Sequence, residues 1–260
     1  MKHLRWPVCL LGLMAGIAGC GNAASRDPYR NLGPAREIVS TSIKWMGGYE
    51  TWDKIEGITA TALATVHCTD GTAYVNLQKQ IIDLRGNRIL ASAETAEGSW
   101  KAVARDKGRC SLTAKGFQPD EKMQPRICGA LWLLLERVRG PLRLLDKDQQ
   151  ILSAAPAKLG GEDCIRVAVH ERGGRDLSYY FAQTTGELRY VTVEPAGAGQ
   201  TGTLTSFTYT VLPEGVAFPS RIRVVQMGQN APISDKPVLD VEFSEVQAHK
   251  GPWISGLLAR

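Results

Sequence analysis

At 260 residues the chain can form one large or two small domains with a sizeable core. Its 43% apolar and 22% charged residues exclude a disordered or low-complexity protein. The formal charge is +5, or +3 without the N-terminal Lys2 and Arg5, too mild to indicate a nucleic-acid partner.

The N-terminus carries the most specific signal. Lys2, His3 and Arg5 form a positive start, and Val8 to Gly19 is an uncharged run. As a helix that run would measure about 18 Å, short of the roughly 30 Å of hydrocarbon but suited to a secretory signal. No later window reaches the roughly 18 apolar residues of a membrane span. Ile17-Ala18-Gly19-Cys20 resembles the lipobox of bacterial lipoproteins. That resemblance implies a signal peptide over 1–19 and a diacylated Cys20, with a plain signal peptide cut nearby as the alternative. Several acyl chains at about 0.8 kcal/mol per buried CH₂ would anchor the protein almost permanently. Gly21 stands where an aspartate would resemble an inner-membrane retention signal, so the resemblance implies the periplasmic face of the outer membrane.

Residues 20–33 are rich in turn formers and read as a lipidated tether. Pro34 then opens a helix whose Ala35, Ile38, Val39, Ser42, Ile43 and Met46 share one face, and Gly47 stops it. A short turn from Glu50 to Ile55 carries Trp52. From there the period changes to two. Ile58–His67, Ala73–Asp83, Arg88–Glu94, Trp100–Arg105 and Cys110–Ala114 read as five strands separated by turn dipeptides. A helix over 126–138 follows, with Pro125 before it and Gly140-Pro141 after it. Its stripe of Ile127, Ala130, Leu131, Leu134, Leu135 and Val138 is supplemented by Trp132 and Leu133, so it is covered on more than one side. Six further strands are expected at Cys164–His170, Leu177–Ala182, Leu188–Val193, Thr203–Leu212, Val216–Met227 and Val238–Val246. No linker divides the two runs. The expected fold is α+β and mainly β: one domain over 34–250, a tail over 251–260, and a single antiparallel sheet of about eleven strands. Strand twist curls such a sheet into an unclosed half-barrel with helices in its concave side.

In an exported protein, Cys68, Cys110, Cys128 and Cys164 remain after Cys9 and Cys20 are accounted for, and they are disulfide candidates. Three pairings are possible. Strand parity prefers Cys68 with Cys110 and leaves Cys128 for Cys164, with four buried thiols as the alternative. No CxxC or matched histidine spacing suggests a metal. His67, His170 and His249 are scattered, and no catalytic motif or cofactor fingerprint is present, so neither a catalytic set nor a cofactor is expected. Arg221 and Arg223 share one strand face, either solvated or poised for an anionic headgroup.

The order of elements resembles the periplasmic lipoprotein-localisation fold of LolA and LolB. Three stretches carry the likeness: "WMGGYETWDKIEGI" at 45–58, the hairpin "YYFAQTTGELRYVTV" at 179–193, and "FTYTVLPEGVAFPSRIRVVQMG" at 207–228 with "LDVEFSEV" at 239–246. Gln183 replaces an aspartate usual in the hairpin. These motifs are turn residues and report fold rather than chemistry. The resemblance implies a hydrophobic concavity for the acyl chains of a lipid or lipoprotein. Leu131, Leu134, Leu135, Phe207, Tyr209, Leu239, Val241 and Phe243 are its candidate lining, each equally explicable as core. Leu142–Leu145 is apolar enough to compare with the membrane-inserting loop of LolB, although it reads more simply as the end of the helix. Three functions stand open: an anchored acyl-chain binder, a non-enzymatic scaffold meeting an envelope protein, and a hydrolase built around one of the histidines.

Overall fold

The computed structural model describes residues 27–67, 71–105, 108–195, 201–228 and 232–251, with no side chains described over 232–235. Cys20, Cys68, the leader and the tail after residue 251 lie outside the described residues. A 3-10 turn at Gly33–Ala35 leads into α1 (Arg36–Trp45), and α2 (Tyr49–Asp53) follows. Five strands succeed them: β1 (Ile55–His67), β2 (Ala73–Asp83), β3 (Arg88–Thr95), β4 (Gly98–Arg105) and β5 (Arg109–Lys115). Next come α3 (Met123–Val138) and a 3-10 turn at Gly140–Leu145. Seven strands complete the chain: β6 (Gln149–Leu159), β7 (Glu162–Glu171), β8 (Arg175–Ala182), β9 (Leu188–Val193), β10 (Gly202–Val211), β11 (Ala217–Met227) and β12 (Pro232–Lys250).

The twelve strands form one antiparallel sheet in the order β5-β4-β3-β2-β1-β12-β11-β10-β9-β8-β7-β6. The first and last strands meet in the middle, from Ile55↔Lys250 to Val66↔Leu239. The edges are therefore β5 and β6, the strands before and after α3, so this helix is the crossover from one edge to the other. That forces curvature. Cys128 of α3 is bonded to Cys110 on β5, while Glu136 of α3 bonds Arg175 on β8. In a flat sheet β5 and β8 would lie about 43 Å apart at 4.8 Å per strand. The two helix residues are only about 12 Å apart along the axis. The sheet curls around the helix, as the sequence implies.

Twelve strands replace the expected eleven. β6 escapes a sequence reading because it is an edge strand with weak alternation, exposed Leu152, and Pro156, which an edge strand tolerates. In β12, Leu239, Val241 and Phe243 face inward as expected, at 3%, 0% and 8% exposure. A bulge between Thr59↔Gln247 and Thr61↔Ser244 then breaks the alternation, with Glu245 at φ 51°. Helix α3 begins at Met123, so Pro125 lies inside its first turn, where no intrahelical N–H is required of it. Asp120 accepts hydrogen bonds from the backbone N–H groups of Lys122 and Met123 there. Gly47 ends the first helical segment at φ 106°, and a Cβ on it would lie 2.4 Å from the carbonyl oxygen of Gly215 in the β10–β11 turn. Only glycine allows that approach.

The cysteine pairing preferred from strand parity is corrected. Cys110 bonds Cys128, and Cys164 is a free, buried thiol on β7. Parity says which face a cysteine occupies, but the partner is set by α3 crossing that face. Closing an 18-residue separation restricts the unfolded chain by about 3 kcal/mol. Urea unfolding of a Cys110→Ala, Cys128→Ala variant should show that loss with native circular dichroism retained, and non-reducing peptide mapping should recover the 110–128 fragment pair.

Candidate functional site

The interior between α3 and the sheet has two unlike walls. Under α3, seven inward positions of the first five strands carry alanine, namely Ala60, Ala62, Ala64, Ala91, Ala93, Ala102 and Ala104, all at most 6% exposed, while Ile58, Ile82, Ile89 and Trp100 occupy inward positions towards the strand ends. The inward positions of the later strands carry large ones, among them Tyr179, Phe181, Phe207, Phe218 and Ile222. The volume above the alanine wall is filled by the helix itself, through Ile127, Leu131, Leu134, Leu135 and Val138. Only about 10 Å³ stays open along the seam bounded by Ala64, Val66, Asn76, Gln78, Ile127, Ala130, Leu134 and Leu239. That is about one water.

The seam is apolar except along β2, whose alternation is inverted. Asn76, Gln78 and Gln80 share the inward parity with Ala62 and Ala64, whereas Val75 and Leu77 are 60% and 64% exposed on the outer face. Gln80 Nε2 donates to Gln78 Oε1 at 2.9 Å, yet Gln80 Oε1 and, on β4, Trp100 Nε1 are buried without partners among the described residues. At the rim, Arg126 Nη1 donates to Tyr74 Oη at 2.9 Å, and Tyr74 Oη donates to Asp120 Oδ2 at 3.0 Å.

The structure divides the eight candidate lining residues. Leu131, Leu134, Leu135, Leu239 and Val241 lie along the helix seam or the strand beneath it, all at most 3% exposed. Phe207 and Tyr209 instead pack in an aromatic group with Trp45 at the end of α1, at centroid distances of 5.1 Å for Trp45–Tyr209 and 6.0 Å for Phe207–Tyr209. Phe243 sits edge-on to Phe218 at 5.4 Å. Burial drives the Tyr209 hydroxyl far above its ordinary pKa, so it is a neutral core group.

The other end of α3 is fixed by a cluster of charges invisible in the sequence because four elements and the residues between them supply it. Arg175 on β8 bonds Glu136 of α3 at 2.6 Å and Glu171 on β7, and its guanidinium lies 4.8 Å over the Trp132 ring. Arg143 in the 3-10 turn bonds Asp146, Asp148 at 2.8 Å and Glu171 at 2.7 Å, and Arg139 grips Asp146 at 2.6 and 2.8 Å. Arg137 is buried, its Nε donating to Thr205 on β10 at 3.3 Å. Burial lowers its pKa, and Glu136 and Tyr179 oppose that shift. Burial also pushes Tyr179 up to about 12. The cluster encloses about 310 Å³, yet its acids and bases are spent on one another, which suits a clamp rather than a reactive site.

The histidines do not converge. His67 and His249 belong to opposite ends of the β1–β12 ladder, and His170 is on β7. His170 Nδ1 lies 2.7 Å from Asp176, and His249 Nε2 lies 2.8 Å from the Thr59 hydroxyl. Among the described residues no group of three acidic, histidine or cysteine side chains is placed to hold a metal, and no helix is long and apolar enough to cross a membrane. Arg221 is bound by Asp240 at 2.9 and 2.6 Å, in keeping with a solvated face. Leu144 is buried, and Leu142 and Leu145 pack against the core, so this stretch is the end of the helical segment and not a projecting loop.

This architecture is a LolA-like fold. A LolA superfamily protein from Nitrosomonas europaea superposes with a TM-score of 0.51 over 84% of this chain and 95% of its own, at 10% identity. A DUF1329 family protein from Desulfovibrio piger gives 0.50 over 84% and 94%, also at 10% identity. An outer membrane lipoprotein-sorting protein domain from Vibrio parahaemolyticus gives 0.46 over 90% and 100%, at 11% identity. No family model matches the sequence, and no curated protein gave a match.

The clamp makes a pH prediction. Burial alone would raise the Glu171 pKa, but bonds from Gln149, Arg175 and Arg143 outweigh it and hold the carboxyl below its ordinary value. A carboxylate depressed in the folded state stabilises fully above its unfolded pKa of about 4.3 and loses that contribution as pH falls through the folded value. Wild-type stability should therefore drop as pH is lowered from 5 towards 3. Glu171→Gln should cost about 1.5 kcal/mol at pH 7, because Arg143 and Arg175 each lose one charged hydrogen-bond partner while keeping Asp146, Asp148 and Glu136, and should show a shallower acid loss in urea titrations.

Proposed function

We propose that this protein is a non-enzymatic lipoprotein of the bacterial envelope, anchored through Cys20 at the periplasmic face of the outer membrane, which takes an acyl chain of a lipid or lipoprotein between α3 and the alanine wall. The carrying observation is the asymmetry of the interior. Where a core needs only to be filled, large side chains can come from the sheet. Here five large side chains come from one helix lying over seven alanines, so moving the helix would expose a trough floored largely by small apolar side chains, with the amides of β2 along one side. Displacement would start at the first turn of α3, which faces the polar side chains Tyr74, Asn76 and Gln78 and has the least apolar adhesion to lose.

A second reading has its own observation. The seam holds only about 10 Å³, and a filled interior suits a packed scaffold that meets an envelope protein partner by its surface. Fluorescent fatty-acid titration of the processed, unlipidated chain separates the two. The acyl-chain reading expects saturable binding at micromolar ligand, at least about 5-fold weaker in Ala62→Met, which occupies the trough at a cost of about 1–3 kcal/mol in stability. No saturable binding would leave the scaffold.

The disulfide gives a further expectation. Cys110–Cys128 ties α3 to the edge strand, so it lowers the population of any state with the helix displaced. Apparent affinity scales with that population. The Cys110→Ala, Cys128→Ala variant should therefore bind the fatty acid more tightly while being less stable, a combination that simple loss of packing would not give.

A further inference from the structure

Strand β2 outruns its neighbour β3. Their ladder runs from Asp83↔Arg88 to Lys79↔Ser92 and stops. β2 nevertheless continues with β1 to His67↔Ala73, and β3 continues with β4 to Thr95↔Gly98. Residues 73–78 and 93–95 therefore have a strand on one side only, although both lie inside the sheet order. No backbone hydrogen bond from elsewhere in the described residues reaches either stretch. Alternate N–H and C=O groups of β2 thus face a gap, the template that an additional strand completes.

The gap is a groove of about 800 Å³ whose near walls are Leu77, Gln78 and Lys79 on one side and Ser92, Ala93 and Glu94 on the other. On the outer face beside it, Val75, Leu77 and Leu63, which is directly opposite Leu77, are three of the five large apolar side chains exposed among the described residues. Lys79, Lys101 and Lys115 also line the groove, and none has an acidic partner among the described residues. The acids in the same groove are Glu94 and Glu245, the latter accepting a hydrogen bond from Thr61 at 2.7 Å.

We propose that this gap receives an extended peptide segment of a partner protein, added as a strand along residues 73–78 of β2. The segment would be apolar at alternate positions, to cover Val75 and Leu77, and would carry carboxylates towards the three lysines. Ladder bonds give such a segment its affinity and the alternate side chains its specificity. A lone acyl chain would cover the leucines but leave the strand's polar backbone groups unmatched, so a peptide fits better. The groove and the acyl trough share Gln78 and Ala93 as lining, but the side chains proposed to dock the peptide, Val75, Leu77 and Lys79, have the opposite parity to Asn76 and Gln78 and face away from the trough.

Hydrogen–deuterium exchange on the processed full-length chain tests this, using an acetylated, amidated heptapeptide of alternating valine and threonine that ends in two glutamates. The expected result is saturable binding that slows exchange within 73–78 at least about 5-fold. N-methylation of alternate peptide residues should abolish the effect, and Leu77→Lys, a change at an exposed position, should weaken binding at least about 5-fold. Fatty-acid binding should be untouched by Leu77→Lys, which separates failure here from failure of the trough. Absence of protection at 73–78, protection confined to the edge strands β5 or β6, or protection of 73–78 by anionic phospholipid vesicles but not by the peptide would each overturn the proposal.

Discussion

The structure depends on one crossing. Because β1 pairs with β12 at the centre of the sheet, the chain must travel from edge to edge between β5 and β6, and it does so through a helix of 16 residues. A helix of that length is about 24 Å long, less than half the width of twelve flat strands. The strands must therefore come to the helix. The half-barrel follows from this mismatch as much as from strand twist, and it explains why α3 reaches strands as distant in the sheet as β5, β8 and β10.

Bringing a helix so close to a sheet requires small side chains on one of the two surfaces. The alanines of β1, β3 and β4 supply them, and the leucines of α3 supply the mass. Burying each such leucine contributes about 1.5–3 kcal/mol, so the closed form is held by the same apolar area that would be lent to a ligand. Two further attachments oppose release, the Cys110–Cys128 bond and the Glu136–Arg175–Glu171 clamp. Stability and accessibility are set against one another through a single helix.

Much of this was legible because alternation and helical spacing report burial directly. The α3 stripe, the inward set of β12 and most strand boundaries are statements about which side of an element is dry, and the sequence carries that information locally. What was illegible depends on where elements stop and cross. β6 looks polar because an edge strand buries little. Phe207, Tyr209 and Phe243 are apolar and inward, but only the packing of α1 places Tyr209 beside Trp45, and only the pairing of β11 with β12 places Phe243 beside Phe218. The charge clamp draws on α3, the following turn, β7 and β8, together with residues between them, so no spacing could announce it. The fold's three sequence stretches identify turns, and turns say nothing about whether an interior is full.

Strand β2, expected and found over Ala73–Asp83, runs against its own local pattern. Read as an ordinary alternating strand, "AYVNLQKQIID" should put its valine and leucine inside and its amides outside. The observed parity is the reverse over residues 75–80, because a one-residue slip of the ladder with β1 would carry Lys79 into the interior position that Gln80 occupies, while Ile81 would merely replace Ile82. Local preference therefore yields to keeping Lys79 out of the core, leaving amides under α3 and leucine in solvent. Local and global preference conflict here within one strand, and such conflicts concentrate where a protein does something besides fold. The two faces of this half-strand border the acyl trough and the strand gap respectively, which makes residues 74–80 the segment where the two proposed ligands would be sensed by a common backbone.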